Sequence, residues 1–263
     1  MSSSSPPSSS LQRDHYNTIH DDYDAHYGDE SSLEYRRRFF LDPLLKGIDL
    51  NGLDVADLAA GSGYTTQELL ARFPRVKPVG FDISDEACRA YGAATGCAAH
   101  RVDLTQQVQV DRHFDAAIVI GGLHHCVNDL DKVIENVAGL LRPGGLFLMV
   151  EPNRECWLEP LRRAWYRRDR YFEASTEAAL SHDAMLRSAA RVFEGVSVTY
   201  GGGPAYFLIC NSLVLRVPKR LKPVIDGPLL SLERVFNALP GKAPFPFFVA
   251  QWRRRPVSAG ASS

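Results

Sequence analysis

The chain has 263 residues, 45% of them hydrophobic, and its 30 basic and 31 acidic side chains leave a formal charge of −1. That length suits one α/β domain with insertions. The balanced charge excludes a global field that would draw the protein onto nucleic acid or anionic lipid, so any such partner must be met by a local patch. Five cysteines (Cys88, Cys97, Cys126, Cys156 and Cys210), odd in number and without paired short spacing, argue against a disulfide or zinc framework and fit a reducing, cytoplasmic setting.

Met1 to Ser10 is almost all Ser and Pro, without the basic and apolar regions of a signal peptide, and residues 1–13 read as a disordered tail. No apolar run reaches the roughly 18 residues that a membrane span needs. The rest reads as a single domain over residues 14–255 followed by a tail at 256–263, with a core at 50–152 and lid segments at about 153–180 and 204–246.

Apolar residues at helical spacing predict a helix over Leu33 to Leu45, interrupted by Arg36, Arg37 and Arg38 and closed by Gly47. Short apolar runs then alternate with amphipathic ones, as βαβ units do. Strands are predicted at Asp54 to Leu58, Lys77 to Phe81, Ala98 to Val102, Phe114 to Ile120 and Leu146 to Val150. Helices are predicted at Tyr64 to Phe73, after a Ser84 cap, and after Asn128, the last ending at Arg142-Pro143-Gly144-Gly145. Beyond Pro152 come an Arg- and aromatic-rich stretch to residue 173, a helix from about His182 to Ala190, and strands at Val192 to Tyr200 and Phe247 to Trp252. Between those strands, Val224 to Leu230 and Leu232 to Leu239 read as two short amphipathic helices. The predicted fold is a Rossmann-like α/β sheet of seven strands, mostly parallel with the last antiparallel, carrying helices on both faces and C-terminal lid insertions.

The decisive run is Asp57-Leu58-Ala59-Ala60-Gly61-Ser62-Gly63-Tyr64-Thr65 after the first strand, answered by Asp82 at the end of the second. It has the form of a nucleoside-binding turn. In a dinucleotide site that turn and helix N-terminus hold a pyrophosphate, which a carboxylate such as Asp57 would repel. The acid suits a ligand with positive charge near the turn, and S-adenosylmethionine carries an ammonium and a sulfonium. With Asp103 after strand three and Leu140-Leu141-Arg142-Pro143-Gly144-Gly145 before strand five, the chain resembles the class I S-adenosylmethionine-dependent methyltransferases over about residues 50 to 155. Within them it is most similar to the small-molecule group that includes ubiquinone-biosynthesis-type enzymes.

The resemblance implies that Asp57 faces the methionine ammonium and that Ala59, Gly61 and Gly63 let the backbone approach the cofactor. The family has glycine where Ala59 stands, a methyl group tolerable there if the local φ is negative. Asp82, 21 residues beyond Gly61, would accept from the ribose hydroxyls, with Ile83 against adenine. Asp103 and the Leu104 backbone would meet the adenine edge, although Asp103 reads equally as a turn cap. Gly121-Gly122-Leu123-His124-His125-Cys126 after strand four should face the transferring methyl, with Gly121 at the cofactor. His124 or His125 is the candidate general base; the alternative is that the pair caps the next helix or lines the pocket mouth. No third ligand is spaced to join the two histidines, so no metal is expected.

The loop after strand four lacks the Pro-Pro motif of base-amine methyltransferases, and Glu151-Pro152-Asn153 lacks the paired-glutamate pattern of arginine methyltransferases. A small apolar or aromatic acceptor, methylated on oxygen, is the expectation. Its rivals are a protein of this fold that binds the cofactor without transferring methyl, and an RNA methyltransferase gripping its substrate through Arg154 to Phe172. That segment can equally contact a lipid surface at the membrane periphery, or be an amphipathic helix with a solvated basic face.

Overall fold

The computed structural model describes residues 27–108, 111–166, 177–215 and 217–256. The two expected tails, apart from residue 256, and Arg167, Arg168, Arg170, Tyr171 and Phe172 lie outside them. Seven strands form one sheet: β1 (Asp54–Leu58), β2 (Lys77–Asp82), β3 (Ala99–Arg101), β4 (Phe114–Ile120), β5 (Leu141–Pro152), β6 (Phe193–Gly201) and β7 (Phe247–Arg254). Their order is β3-β2-β1-β4-β5-β7-β6. The first five pair in parallel, and β7 runs antiparallel to both β5 and β6. The chain reverses direction across the sheet between β1 and β4, the switch point beyond whose carboxyl ends open α/β sheets bind ligands.

The helices are α1 (Glu30–Arg36), α2 (Tyr64–Arg72), α3 (Asp85–Thr95), α4 (Leu130–Leu140), α5 (Glu159–Tyr166), α6 (His182–Ser188) and α7 (Lys222–Phe236). Period-two alternation in the strands sorts the core into two layers. Ala56, Leu58, Phe81, Val119, Phe147 and Trp252 face Val133, Ile134 and Val137 of α4. Val55, Ala116, Ile118, Leu148 and Val249 face the N-terminal helical region through Tyr35, Phe39, Phe40, Leu41 and Leu44. Asp57 shares parity with Val55, so its side chain points toward that second layer.

Three expected elements differ. The N-terminal helix begins earlier, at Glu30, because Asp29 caps it: Asp29 Oδ1 accepts the Ser32 N–H at 3.1 Å. It continues as a π turn over Arg37–Leu41, into which the arginine run and Phe39 and Phe40 fall. Strand β5 starts at Leu141 rather than Leu146, pairing Phe114 with Leu141 and then Ala116 with Leu146 across an irregularity. The two short helices expected within 224–239 are one helix, α7, with Pro228 inside it. Proline removes the hydrogen bond that the Val224 carbonyl would have accepted. Val224 is exposed, so that carbonyl can turn to water and the helix survives.

The long segment between β6 and β7 is spent on α1. Ala205, Ile209, Cys210 and Leu230 are buried in the layer that holds Tyr35. Two buried charges lock the contact. Lys222 Nζ donates to Asp29 and, at 2.7 Å, to Ser32 Oγ. Glu233 accepts from Tyr35 Oη, the Gly203 N–H and the Ala205 N–H. Burial raises the Glu233 pKa, the largest influence on it, while these donors pull the other way. Glu233→Ala strands three buried donors and should lower unfolding free energy by about 3 kcal/mol. Urea denaturation measures it, and a loss below about 1 kcal/mol would show that the clamp contributes little.

Candidate active site

A cleft of about 1410 Å³, counting its open mouth, lies at the switch point of the sheet. Its wall includes Asp57, Ala59, Gly61, Asp82, Ile83, Asp103, Leu104, Gly121 and His125. Gly63 and His124, also expected there, are not part of that wall.

Asp57 closes β1 and is only 2% exposed. Thr66 Oγ1 donates to Asp57 Oδ2 at 2.8 Å, and the Tyr91 hydroxyl stands 2.8 Å from the same Thr66 oxygen. If Thr66 gives its proton to Asp57, Tyr91 must donate to Thr66. Among the described residues Asp57 makes no ion pair, and burial lifts its pKa to about 7. Arg36, which also lines the cleft, is a positive charge that pulls this pKa down.

The glycine turn rests on Asp82. Its Oδ2 accepts the Gly61 N–H and its Oδ1 the Ser84 N–H, each at 2.9 Å. These bonds fix the carboxylate in the cleft wall at the end of β2. Gly63 has φ +83° behind the cleft, where an added Cβ would lie 2.7 Å from Thr95 Cγ2 and 3.0 Å from Tyr91 Cδ2; its role is to let α2 and α3 close on each other. Ala59 departs from the condition set for it: φ is +50°, in the left-handed region, not negative. The cost for a residue with a Cβ is about 1–2 kcal/mol. The Ala59 methyl faces Gly122, where an added Cβ would come within 2.7 Å of both Ala59 Cβ and Val119 Cγ2.

Asp103 does cap a turn: its Oδ1 accepts from Thr105 N at 2.9 Å and Thr105 Oγ1 at 2.6 Å. It borders the cleft as well. The turn-cap reading describes its bonds.

After β4, Leu123–His125 forms a single helical turn whose N–H groups converge on buried Glu151. Glu151 Oε1 accepts from Gly122 N at 2.9 Å and Leu123 N at 2.7 Å, and its Oε2 lies 2.8 Å from His124 Nδ1. His124 is thereby built into the turn, and burial, ahead of the neighbouring His125, lowers its pKa. His125 turns to the cleft, with Nδ1 3.4 Å from Glu177 Oε1. Sequence spacing offered no third ligand for the histidine pair, but the fold supplies one: donor atoms of His124, His125 and Glu177 lie within 4.8 Å of one another. Cys126 borders the cleft too, its thiol pushed up to about 12 chiefly by burial, so it stays protonated.

Sequence reasoning missed Tyr27, Arg36 and Glu177. The signal for Arg36 was visible, a charge breaking an apolar helical run. Glu177 had none, because only folding brings it to the histidines.

The chain matches the family described as "Methyltransferase domain" over residues 56–147, which spans β1 through the first half of β5. That stretch is similar to a methyltransferase domain, and the seven-stranded sheet around it has the fold of class I S-adenosylmethionine-dependent methyltransferases. Its cofactor is S-adenosylmethionine, and the site fits it: a buried carboxylate without an ion-pair partner among the described residues, a backbone cradle at Gly61, and Asp82 at the next strand end. No curated protein matches the chain. Among solved structures, the methyltransferase is similar to the N-methyltransferase NodS from Bradyrhizobium japonicum WM9 in complex with S-adenosylhomocysteine, with TM-score 0.54, 13% identity, and coverage of 86% of this chain and 88% of that one. It is similar to the plantazolicin methyltransferase BpumL, with TM-score 0.59, 11% identity, and coverage of 95% and 96%. It is also similar to the [4+2]-cyclase SpnF, with TM-score 0.62, 13% identity, and coverage of 97% and 98%. At these identities the likeness is one of fold.

Two outcomes follow for this methyltransferase. Gly122→Ala should cost about 1–3 kcal/mol through overpacking, and Ala59→Gly in the same chain should restore part of it; thermal denaturation showing no rescue would separate the two positions. Because burial raises the ligand-free Asp57 pKa to about 7, an ammonium bound at this carboxylate would displace a proton below that pH. Affinity for S-adenosylhomocysteine should therefore be about tenfold weaker at pH 6 than at pH 8. Calorimetry in buffers of different ionisation enthalpy should also detect proton release; a flat profile would contradict the coupling. By the same sign, the ligand-free protein loses stability from about pH 4 to 7, where its native state holds a proton that the unfolded chain has released.

Proposed function

We propose that the protein transfers a methyl group from S-adenosylmethionine to an oxygen of a small apolar or aromatic metabolite, with His125 receiving the acceptor proton. The observation that carries this reading is the position of His125 on the cleft wall with its Nδ1 turned to buried Glu177. A proton held on Nδ1 beside that carboxylate makes Nε2 the basic nitrogen, and the carboxylate stabilises the imidazolium formed. His124, set into the turn by Glu151, positions the loop instead.

The cofactor supplies an electrophilic methyl on a sulfonium, whose departure as a neutral thioether needs no acid. What remains for the protein is alignment and removal of one proton. In this reading Asp57 receives the ammonium and Arg36 the carboxylate of the cofactor's amino-acid end, Asp82 accepts from the ribose hydroxyls, and Ile83, Asp103 and Leu104 surround the adenine. Gly61 and Gly121 allow close backbone approach. Ala59, in its left-handed conformation, serves the same turn, while Gly63 serves the packing behind it.

The test is incubation of metabolite extracts with the protein and methyl-labelled cofactor, followed by a mass-shift search. Labelled oxygen ethers or esters are expected. No labelled product would favour the rival reading of a cofactor-binding protein without methyl transfer, a reading given room by the likeness to a [4+2]-cyclase. With an acceptor in hand, His125→Ala should lower kcat about 10²-fold or more while leaving cofactor affinity near wild type. His124→Ala should disturb stability more than proton transfer. Activity abolished by a chelator and restored by a divalent ion would instead give the His124, His125 and Glu177 cluster to a metal.

A further inference from the structure

The outer side of α7 is an unpartnered apolar stripe. At 3.6 residues per turn, Val224, Pro228, Leu232 and Val235 project within about 80° of one another, and Leu221 and Leu239 flank the helix at its two ends. All six are exposed, Val224 at 74% and Val235 at 69%, whereas Lys222, Leu230 and Glu233 face inward against α1. Helix propensity and core packing account for the inner face only.

The apolar surface continues past the helix. The Trp157 N–H donates to the Ala243 carbonyl at 3.0 Å, so the loop that follows α7 carries the start of the α5 segment beside it. There Trp157 is 70% exposed, and Leu161 is exposed too. An exposed tryptophan beside an aliphatic ridge suits the boundary between water and acyl chains, where its amphipathic ring is favoured.

Charge distinguishes among occupants. Every exposed charged side chain between 217 and 242 is basic: Lys219 and Arg220 at the approach to the helix, and Arg234 on it. The acids are taken inward, Glu233 by Tyr35 and Asp226 by Ser31 Oγ at 2.9 Å. In a chain with formal charge −1 this sign is local rather than general. An aliphatic helix ridge rimmed by Lys and Arg matches an anionic lipid surface, which takes the apolar side chains at the headgroup boundary and the cations at its phosphates.

We propose that α7 docks the protein on anionic membranes, lying in the headgroup plane with Val224, Leu232 and Val235 inserted and Lys219, Arg220 and Arg234 at the phosphates. This places the contact on α7, joined by Trp157 at the start of the arginine-rich stretch after β5. The same helix clamps α1, which carries Arg36 to the cleft. The inference goes beyond the proposed reaction and is read without methyl transfer.

The full chain is sedimented with vesicles of phosphatidylcholine alone and of phosphatidylcholine with phosphatidylglycerol. Wild type should pellet with the anionic vesicles and stay largely in solution with the neutral ones. The double variant Val224→Asp and Val235→Asp should partition at least about tenfold more weakly, with its melting temperature and S-adenosylhomocysteine affinity unchanged. Lys219→Glu with Arg220→Glu should weaken binding by a similar factor, since each basic side chain near the surface is worth about fivefold. Absence of wild-type pelleting with anionic vesicles, or unaltered partition of both variants, would overturn the proposal. So would a vesicle-free dimer that Val224→Asp dissolves, since the stripe would then belong to a second copy of the chain.

Discussion

A carboxylate withdrawn from water needs a proton or a cation, and the cleft is organised around one held in that condition. Asp57 ends β1 on the sheet face covered by the N-terminal helical region, where its hydrogen bonds come from Thr66 and burial raises its pKa. The fold tolerates this because a neutral acid is cheap to bury and an ionised one is not. Adding an ammonium reverses the balance. In the proposed reading this desolvation disfavours a pyrophosphate and favours the amino-acid end of S-adenosylmethionine.

The remaining turns are arranged around that buried carboxylate in the wall of the cleft. Asp82 fixes Gly61 from the neighbouring strand, and Gly63 lets Tyr91 of α3 come close enough to reach Thr66, which binds Asp57. Glu151 gathers the N–H groups of Gly122 and Leu123 and the ring of His124, fixing the turn that presents His125. Acids at the carboxyl ends of three parallel strands, β2 and β1 on one side of β4 and β5 on the other, therefore organise the backbone around the cleft. The left-handed Ala59 is strain at the centre of this arrangement, held by its contact with Gly122.

Much of this was legible in the amino-acid sequence because the signals are local. The β1 turn, the Ser84 cap and the α4 stripe each depend on residues within a few positions, and each stands where periodicity placed it. The mixed sheet followed from the alternation of short and amphipathic runs. The failures share a physical cause. The expected break fell at Ser231, between two short apolar runs, yet α7 continues through that position as well as through Pro228. The sign of φ at Ala59 is set by the turn around it rather than by the residue. Glu177 meets His125 only through the chain's return after β5, and Tyr35 meets Glu233 only when the segment between β6 and β7 packs on α1.

The account turns on Asp57 acting upon the amino-acid end of the ligand rather than upon its nucleoside. Calorimetry of wild type and Asp57→Asn with S-adenosylhomocysteine and with 5′-methylthioadenosine, which lacks the amino-acid end, separates the two. The account predicts at least about thirtyfold weaker binding of the first ligand, equivalent to about 2 kcal/mol for a lost charge-assisted contact, and little change for the second. Equal losses for both ligands, or no loss for either, would contradict it.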